Sequence, residues 1–237
     1  QDPRSLGTRI ERLLVGHPCR ISSNDEKCDP NMIALFDEIL KRGADVNMVS
    51  FSKEPLLSTA IKTCRYCLDA MLVKGADPNL IVASAWSPFE TLLHMNFKGL
   101  FDHDSKSLAF HSLEEMLKAG GNVNYKSFPS ALCYGLGIST RLFNLFEKYG
   151  LDFKGSAINC AMDIYLRGPI DKKINGSYPF LERVRRAKAQ GIDLSVPDTG
   201  NQNALIQLID RGVGYSNFIV RYSFYSDLFS ELVQFGV

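Results

Sequence analysis

The sequence predicts an all-α fold, a solenoid of about six helix–turn–helix repeats with long inserts between the helices of some repeats. The first observation is a recurring turn, written KRGADVNM at 41–48, VKGADPNL at 73–80 and KAGGNVNY at 118–125, with weaker copies at 148–155 and 189–196. The second is that apolar residues between the turns recur with a helical period and lack the alternation typical of strands. A single helix pair cannot bury its own apolar face, so repeated pairs are expected to stack on one another.

The helices can be assigned in chain order from their start and stop signals. LGTRIERLLVG at 6–16 predicts a helix that forms an irregular first half-repeat. First helices of later repeats are predicted where a polar or capping residue meets Pro or Ala, at 54–60, 87–93, 130–136, 156–162 and 203–209. Second helices are predicted in the stretches that end at the turn glycines, which are Gly43, Gly75, Gly120, Gly150, Gly191 and Gly236. Glycine suits the left-handed position that ends a helix.

Inserts explain the unequal spacing of these glycines. Extra residues are predicted between the helices of some repeats, around 96–108, 167–179 and 211–223. The chain begins with Gln1, and its last helix, DLFSELVQFGV, has apolar residues on two faces. Because a terminal repeat needs a polar outer face, we expect the natural protein to continue beyond Val237.

Composition restricts the class of partner. The 237 residues include 27 Lys plus Arg and 26 Asp plus Glu, so the formal net charge is only +1. This balance argues against nucleic acid or an anionic membrane surface as the main partner. No apolar run approaches the roughly 18 residues of a transmembrane helix, so no membrane span is predicted.

One segment resembles a known family. The string from Pro55-Leu56 to Gly75-Ala76-Asp77-Pro78-Asn79 is similar to the ankyrin repeat, which has a TPLH-type helix start and a G-A-D-x-N ending in about 33 residues. The resemblance covers residues 31–237, and residues 1–30 are expected to form an irregular N-terminal half-repeat and loop of the same single domain, 1–237. No repeat keeps the full TPLH, since Leu57 and Glu90 stand at the His position. Such insert-bearing repeats are similar in style to ankyrin effectors that intracellular bacteria deliver into host cells.

The resemblance implies a module that binds another protein through its concave face and loop tips, and it implies no enzymatic activity. Trp86 is the only tryptophan and lies in a loop that does not require a large apolar residue. Aromatic residues and Arg are favoured at interface hot spots. The alternative is that the loop aromatics fold down over the hydrophobic interior. Family register assigns to the binding surface Phe51, Lys53, Lys62, Ser84, Trp86, His94, Met95, Tyr125, Phe128, Gln202, Asp210 and Arg211.

The six cysteines are interpreted as reduced, mostly buried thiols in a cytoplasmic protein, or in the host cytoplasm for a secreted effector. CRYC at 64–67 is a CxxC, but a zinc site would need a second pair of suitable spacing. Cys19 and Cys28 are nine residues apart in a Pro-containing loop. We therefore interpret Cys67 as a packed core residue and predict neither a metal nor another cofactor.

Two further clusters permit other interpretations. His94, His103 and His111, near Asp102, could supply an acid–base pair for a hydrolase-like site, although no nucleophile motif accompanies them. The segment could also be the targeting part of a larger enzyme. LERVRRAKAQ at 181–190, with the basic residues of 183–188, predicts either a solvated outer helix face or a patch for an acidic partner.

Overall fold

The computed structural model describes residues 2–21, 26–82, 86–95, 108–125, 129–153, 160–161, 164–165, 178–192, 226, 229–230 and 232–234. These residues are mostly helical. Their paired strands form one short antiparallel hairpin, β1 (Arg20–Ile21) with β2 (Glu26–Lys27). The chain divides into two compact units, residues 1–122 and 123–237, which are described separately.

The helices of the first unit stand in two rows. The front row consists of α1, α3 and α5, which contact one another in chain order, and α2, α4 and α6 form the row behind them. Each front helix also contacts the rear helix that follows it in the chain. The bounds are α1 Pro3–Gly16, α2 Pro30–Lys41, α3 Leu56–Thr63, α4 Arg65–Val73, α5 Pro88–Met95 and α6 Leu108–Lys118.

Side chains cap the starts of α1 and α5; the sequence predicted a capping residue at α5, whereas α1 begins three residues before its predicted start at residue 6. Asp2 precedes Pro3, and its carboxylate accepts the N–H of Ser5 at 3.1 Å. At α5, Ser87 and Glu90 form a capping box: the Ser87 N–H donates to Glu90 Oε2 at 2.8 Å, and the Glu90 N–H donates to Ser87 Oγ at 3.2 Å. These bonds satisfy N–H groups that have no partner inside the helix.

The turn glycines have the conformation that the sequence predicts. Gly43, Gly75, Gly120, Gly150 and Gly191 have φ angles of 82°, 84°, 93°, 80° and 100°. An L-residue adopts this left-handed region only at a steric cost, whereas glycine has no Cβ to oppose it. Five helices therefore end in the same way, and the prediction for these five turns is confirmed.

Asparagines of the recurring turn bind the turn that follows. The Asn79 side chain donates from Nδ2 to the Gly120 carbonyl at 2.9 Å and accepts the N–H of Asn122 on Oδ1 at 2.7 Å. Asn47 makes the same pair of bonds to the turn after α4, at 3.0 and 2.7 Å. The asparagine at the end of the G-x-D-x-N pattern thus clamps its turn to the next one.

The interior of the first unit lies between its two rows. Its residues are aliphatic or aromatic and come from all six helices, as the helical period predicts. The fully buried side chains include Ile10, Leu14, Phe36, Leu56, Leu68, Met71, Phe89, Leu93, Leu113 and Met116.

The second unit repeats the helix-pair arrangement. It contains α7 (Ala131–Gly137), α8 (Thr140–Lys148) and α9 (Pro179–Ala189), each of which contacts the other two. Asn124 donates to the Gly150 carbonyl at 2.8 Å and accepts the N–H of Asp152 at 2.7 Å. Residues 160–161, 164–165, 226, 229–230 and 232–234 are also helical.

The prediction of an all-α chain is confirmed for the described residues. Helices occupy the predicted stretches from α1 to α9, and the final predicted helix is helical where it is described. The first-helix signal at 203–209, most of the one at 156–162 and nearly all residues of the three predicted inserts lie outside the described residues. Within the described part, no helix combines the length and apolar composition required to cross a bilayer.

The interpretation of the cysteines as reduced thiols is wrong for this structure. All six are paired, as Cys19–Cys28, Cys64–Cys67 and Cys133–Cys160. Their Cα atoms lie 4.4, 5.2 and 5.6 Å apart, which suits a disulfide. The hairpin β1–β2 brings the first pair together, and the first turn of α4 brings the second together.

The interpretation of 183–188 as a solvated outer face or a basic patch requires correction at Arg183. Arg183 is 1% exposed, and its Nε donates to the Leu136 carbonyl at 2.7 Å, joining α9 to the end of α7. Arg186 pairs with Glu147, and Arg185 pairs with Glu182 at 3.2 Å. Much of the positive charge is therefore used within the second unit, because α9 turns Arg183 toward the interior.

Candidate interaction surface

The loop between α2 and α3 forms a tight hairpin in the first unit. The Ser50 N–H donates to the Glu54 carbonyl at 2.8 Å, and the Lys53 N–H donates to the Ser50 carbonyl at 3.0 Å. Lys53 has a φ of 61°, a left-handed conformation that is uncommon outside glycine. The residues 50–54, here called the tip loop, are therefore held in a defined shape.

A buried carboxylate anchors the tip loop to α1. Glu11 is only 4% exposed, and its Oε1 accepts the N–H of Phe51 at 2.7 Å. The side chain of Phe51 is nevertheless 70% exposed. The backbone of this residue is thus fixed from below, while its ring is presented to solvent, contrary to the alternative in which the ring folds over the interior.

Trp86 lies along α5. Its ring stacks on His94, with the centroids 4.0 Å apart and the planes at 25°, and the residue remains 49% exposed. Met95 follows at the end of the helix and is 53% exposed. Burial lowers the pKa of His94, and the nearby Glu90 carboxylate acts in the opposite direction. Neutral imidazole is the form favoured against the indole ring.

Lys62 is held by the base of the tip loop. Its ammonium group pairs with Glu54 Oε2, and Thr59 Oγ1 donates to the other oxygen of the same carboxylate at 3.2 Å. Lys62 and Lys53 are both exposed. The ion pair with Glu54 therefore orients Lys62, which lies on α3.

The other predicted binding residues lie in the second unit or outside the described residues. Tyr125 belongs to the second unit, where it is half-buried and its hydroxyl donates to the Pro129 carbonyl at 2.8 Å. Five others lie outside the described residues: Ser84, Phe128, Gln202, Asp210 and Arg211.

The histidines of the hydrolase-like alternative have separate partners where they are described. His94 stacks on Trp86, whereas His111 Nε2 lies 3.4 Å from Asp69 Oδ2, on α4. Burial raises the pKa of Asp69, and His111 lowers it. His103 and Asp102 lie outside the described residues, so the alternative stays a prediction.

Sequence reasoning missed two features of the first unit. Glu11 could have been noticed as an acid on the apolar face of α1, where it follows Ile10 and precedes Leu14 by three residues. The second is a groove of about 430 Å³ between α1 and α2, lined by Arg9, Arg12 and Arg42 among others. No sequence motif joins these arginines, because two come from α1 and one follows α2.

No known family model matches the chain, and a search of curated proteins finds no significant match.

Proposed function

We propose that this protein is an ankyrin-type binding module that recognises a partner protein through the loop tips and front helices of its first unit. The two helix rows, the left-handed turn glycines and the asparagine clamps support this assignment, because each agrees with the repeat pattern in the sequence. The observation that carries the function is that Phe51 and Trp86, which precede consecutive front helices, are 70% and 49% exposed while their surroundings are ordered by specific bonds.

Aromatic residues on an ordered backbone or in a stacked pair favour affinity for a physical reason. Association orders side chains and loops, and that ordering costs free energy when they are mobile beforehand. The bond from the Phe51 N–H to Glu11 restricts the backbone of the tip loop, and stacking on His94 restricts the Trp86 ring, before binding. Large rings then contribute apolar contact area with little further ordering.

The expected partner is a protein whose recognised surface offers an apolar pocket beside acidic groups. Phe51, Trp86 and Met95 supply the apolar contacts, and the exposed ammonium group of Lys53 on the tip loop supplies positive charge. A cytoplasmic location and a role as a bacterial effector remain proposals from the resemblance. Reduced thiols had supported a cytoplasmic location, and because all six cysteines are paired, that support is lost.

Alanine substitutions at the two aromatic residues test this function. We expect Phe51→Ala and Trp86→Ala each to weaken binding of the partner captured by the wild type, by about thirtyfold for a loss of about 2 kcal/mol. The matched control is Val73→Ala, because Val73 is 85% exposed and ends a rear helix. Binding is measured on the purified pair, and melting temperatures are recorded for all variants.

The outcomes separate interface from core. Lost binding with an unchanged melt in both aromatic variants, and full binding in Val73→Ala, supports the proposal. A collapsed melt in Trp86→Ala would instead indicate a packing role, for which a core Trp→Ala costs about 3–5 kcal/mol. Full binding by both aromatic variants would exclude this surface.

A further inference from the structure

Four cysteines of the first unit converge on one place. The hairpin β1–β2 places Cys19 and Cys28 at its base, with their Cα atoms 4.4 Å apart. Cys64 and Cys67 lie on either side of the first turn of α4. The Cys19 N–H donates to the Thr63 carbonyl at 2.8 Å, so the hairpin is bonded directly to the corner between α3 and α4.

The sulfur atoms of these two pairs are close enough to share a ligand. The Sγ atoms of Cys19, Cys28 and Cys64, together with a carboxylate oxygen of Glu26, all lie within 4.8 Å of one another. Cys67 lies outside that group of four and is bonded to one of its members, Cys64. Cys64 and Cys67 are both 0% exposed, and Cys19 is 9% exposed. Neither disulfide by itself explains why the two cysteine pairs lie next to each other.

We propose that the reduced chain binds one Zn²⁺ through the thiolates of Cys19, Cys28, Cys64 and Cys67. Zn–S bonds of about 2.3 Å place the sulfurs of a tetrahedral site about 3.8 Å apart. The proposal requires the four sulfurs to reach that spacing by side-chain rotation once the S–S bonds are open. Four protein thiolates leave no open position, so the site is structural and fastens the hairpin to the α3–α4 corner.

Two local contacts favour thiolates at this place. The Cys67 N–H donates to Cys64 Sγ at 3.1 Å; Cys64 is the N-cap of α4 and Cys67 lies in its first turn, where the helix dipole favours negative charge. Arg65, directly after Cys64, is half-buried and brings a positive charge beside the cluster. That charge offsets part of the net charge of −2 of a zinc ion with four thiolates.

Glu26 acts beside the ligands and is not one of them. Its Oε1 accepts the N–H of Arg65 at 2.6 Å, and its Oε2 accepts the N–H of Tyr66 at 2.9 Å. Both oxygens therefore cap α4, which fixes the CxxC turn relative to the hairpin. The fourth ligand is then Cys67, whose sulfur is bonded to that of Cys64.

Electrons and protons balance in the conversion from the disulfide form to the zinc-bound form. Each disulfide takes two electrons and two protons from a dithiol reductant, which is itself oxidised to a disulfide. The four thiols that result bind Zn²⁺ and release four protons. The interpretation of CRYC from spacing did not predict zinc, because spacing alone could not show that the β1–β2 hairpin delivers the second cysteine pair.

Metal content of the reduced full chain tests the proposal. The chain is treated with a dithiol, incubated with Zn²⁺, freed of unbound metal by gel filtration and assayed by elemental mass spectrometry. We expect about one zinc per chain, a large loss in Cys28→Ser and Cys67→Ser, and full retention in Glu26→Gln. Cys133→Ser is the matched control, because that cysteine pairs with Cys160 in the second unit.

X-ray absorption of the zinc-loaded wild type provides a readout that does not depend on how the variants fold. Four sulfur neighbours at about 2.3 Å are expected. Three sulfur neighbours and one oxygen would indicate that Glu26 binds zinc in place of Cys67, and this would overturn the four-thiolate assignment. A reduced wild type that retains no zinc, or a Cys28→Ser variant that retains all of it, would overturn the site.

Discussion

Single side chains connect the successive turns of each unit. Asn79 is the clearest case, because its carboxamide donates to the Gly120 carbonyl and accepts the N–H of Asn122 at 2.9 and 2.7 Å. A shorter or purely apolar side chain at this position would leave both backbone groups to water. The clamp therefore contributes to the relative placement of two turns, since Asn79 binds residues 41 and 43 positions further along the chain.

We expect Asn79→Ala to lower the free energy of unfolding by about 1–3 kcal/mol, since two hydrogen bonds of about 0.5–1.5 kcal/mol each are lost. Asn79→Asp keeps the acceptor, loses the donor and brings a negative charge to the Gly120 carbonyl, so it is also destabilising. Urea unfolding of both variants measures this. Asn31→Ala is the control, because Asn31 is exposed and only its backbone N–H is bonded, to Asp29. Equal stability of Asn79→Ala and wild type would contradict the clamp.

His94 predicts a pH dependence of stability. Burial lowers its pKa on folding, so the unfolded chain takes up the proton first as the pH falls. The stability contributed by neutral His94 is complete above the unfolded pKa, about 6.5, and is lost as the pH falls from there through the folded-state pKa. We expect His94→Gln to remove this part of the acid destabilisation.

Two measurements check the His94 prediction. Urea unfolding of wild type and His94→Gln is compared between about pH 7.5 and about pH 5, the range that brackets the ordinary imidazole pKa. His17→Gln is the control, since His17 is exposed. By NMR, the His94 ring should titrate below the ordinary value in the wild type and closer to it in Trp86→Ala, which removes the stacked indole. A normal wild-type titration would refute the burial argument.

At the scale of elements, the front helices contact one another through their side chains, and the tip loop adds a further bond to α1. The tip loop begins in the chain after α2, yet its Phe51 N–H is bonded to Glu11 of α1. This bond crosses 40 residues and fixes the position from which Phe51 projects. The backbone position from which the ring projects therefore depends on α1 and the tip loop together.

We expect Glu11→Ala to speed hydrogen exchange of the Phe51 amide and to reduce stability by about 1–3 kcal/mol, the range for leaving a bonded partner unsatisfied. Glu11→Gln retains an acceptor oxygen and should restore much of the protection. Exchange is followed by NMR at single-residue resolution. Unchanged protection of Phe51 in Glu11→Ala would show that the tip loop holds its shape without α1.

At the scale of the whole molecule, each compact unit has a hydrophobic core of its own. The first contains Phe36 and Phe89, and the second contains Phe143, Phe146 and Phe180, all at most 1% exposed. The only tryptophan, Trp86, lies in the first unit. Its fluorescence therefore reports on that unit, whereas circular dichroism reports on all helices.

We expect Phe143→Ala to cost about 3–5 kcal/mol, as large-to-small changes in a core do. In a repeat array, stability is approximately a sum of local terms, so the loss should appear first in the second unit. The urea midpoint should then fall further by circular dichroism than by Trp86 emission. Phe36→Ala, the matched control in the first unit, should lower both midpoints. Equal shifts for Phe143→Ala would indicate that the chain unfolds as one cooperative block.

Local features of this fold could be predicted from the sequence, and part of the candidate surface could as well. Turn glycines, capping residues and helical periods depend on neighbours in the chain, so α1 to α9 and five turns follow from short-range chemistry. Exposure of Phe51 and Trp86 was expected from repeat register. The anchoring by Glu11 was not, because it joins residues 40 positions apart.

The sequence by itself determined where helices begin and end, since capping, glycine conformation and apolar period act within a few residues. Only the tertiary structure decided what meets across distant segments. Arg183 shares a helix with exposed residues yet is buried against the Leu136 carbonyl. The CxxC of α4 meets a cysteine pair that only the hairpin β1–β2 brings near. Packing sets such contacts, because the direction of a side chain depends on the elements that surround it.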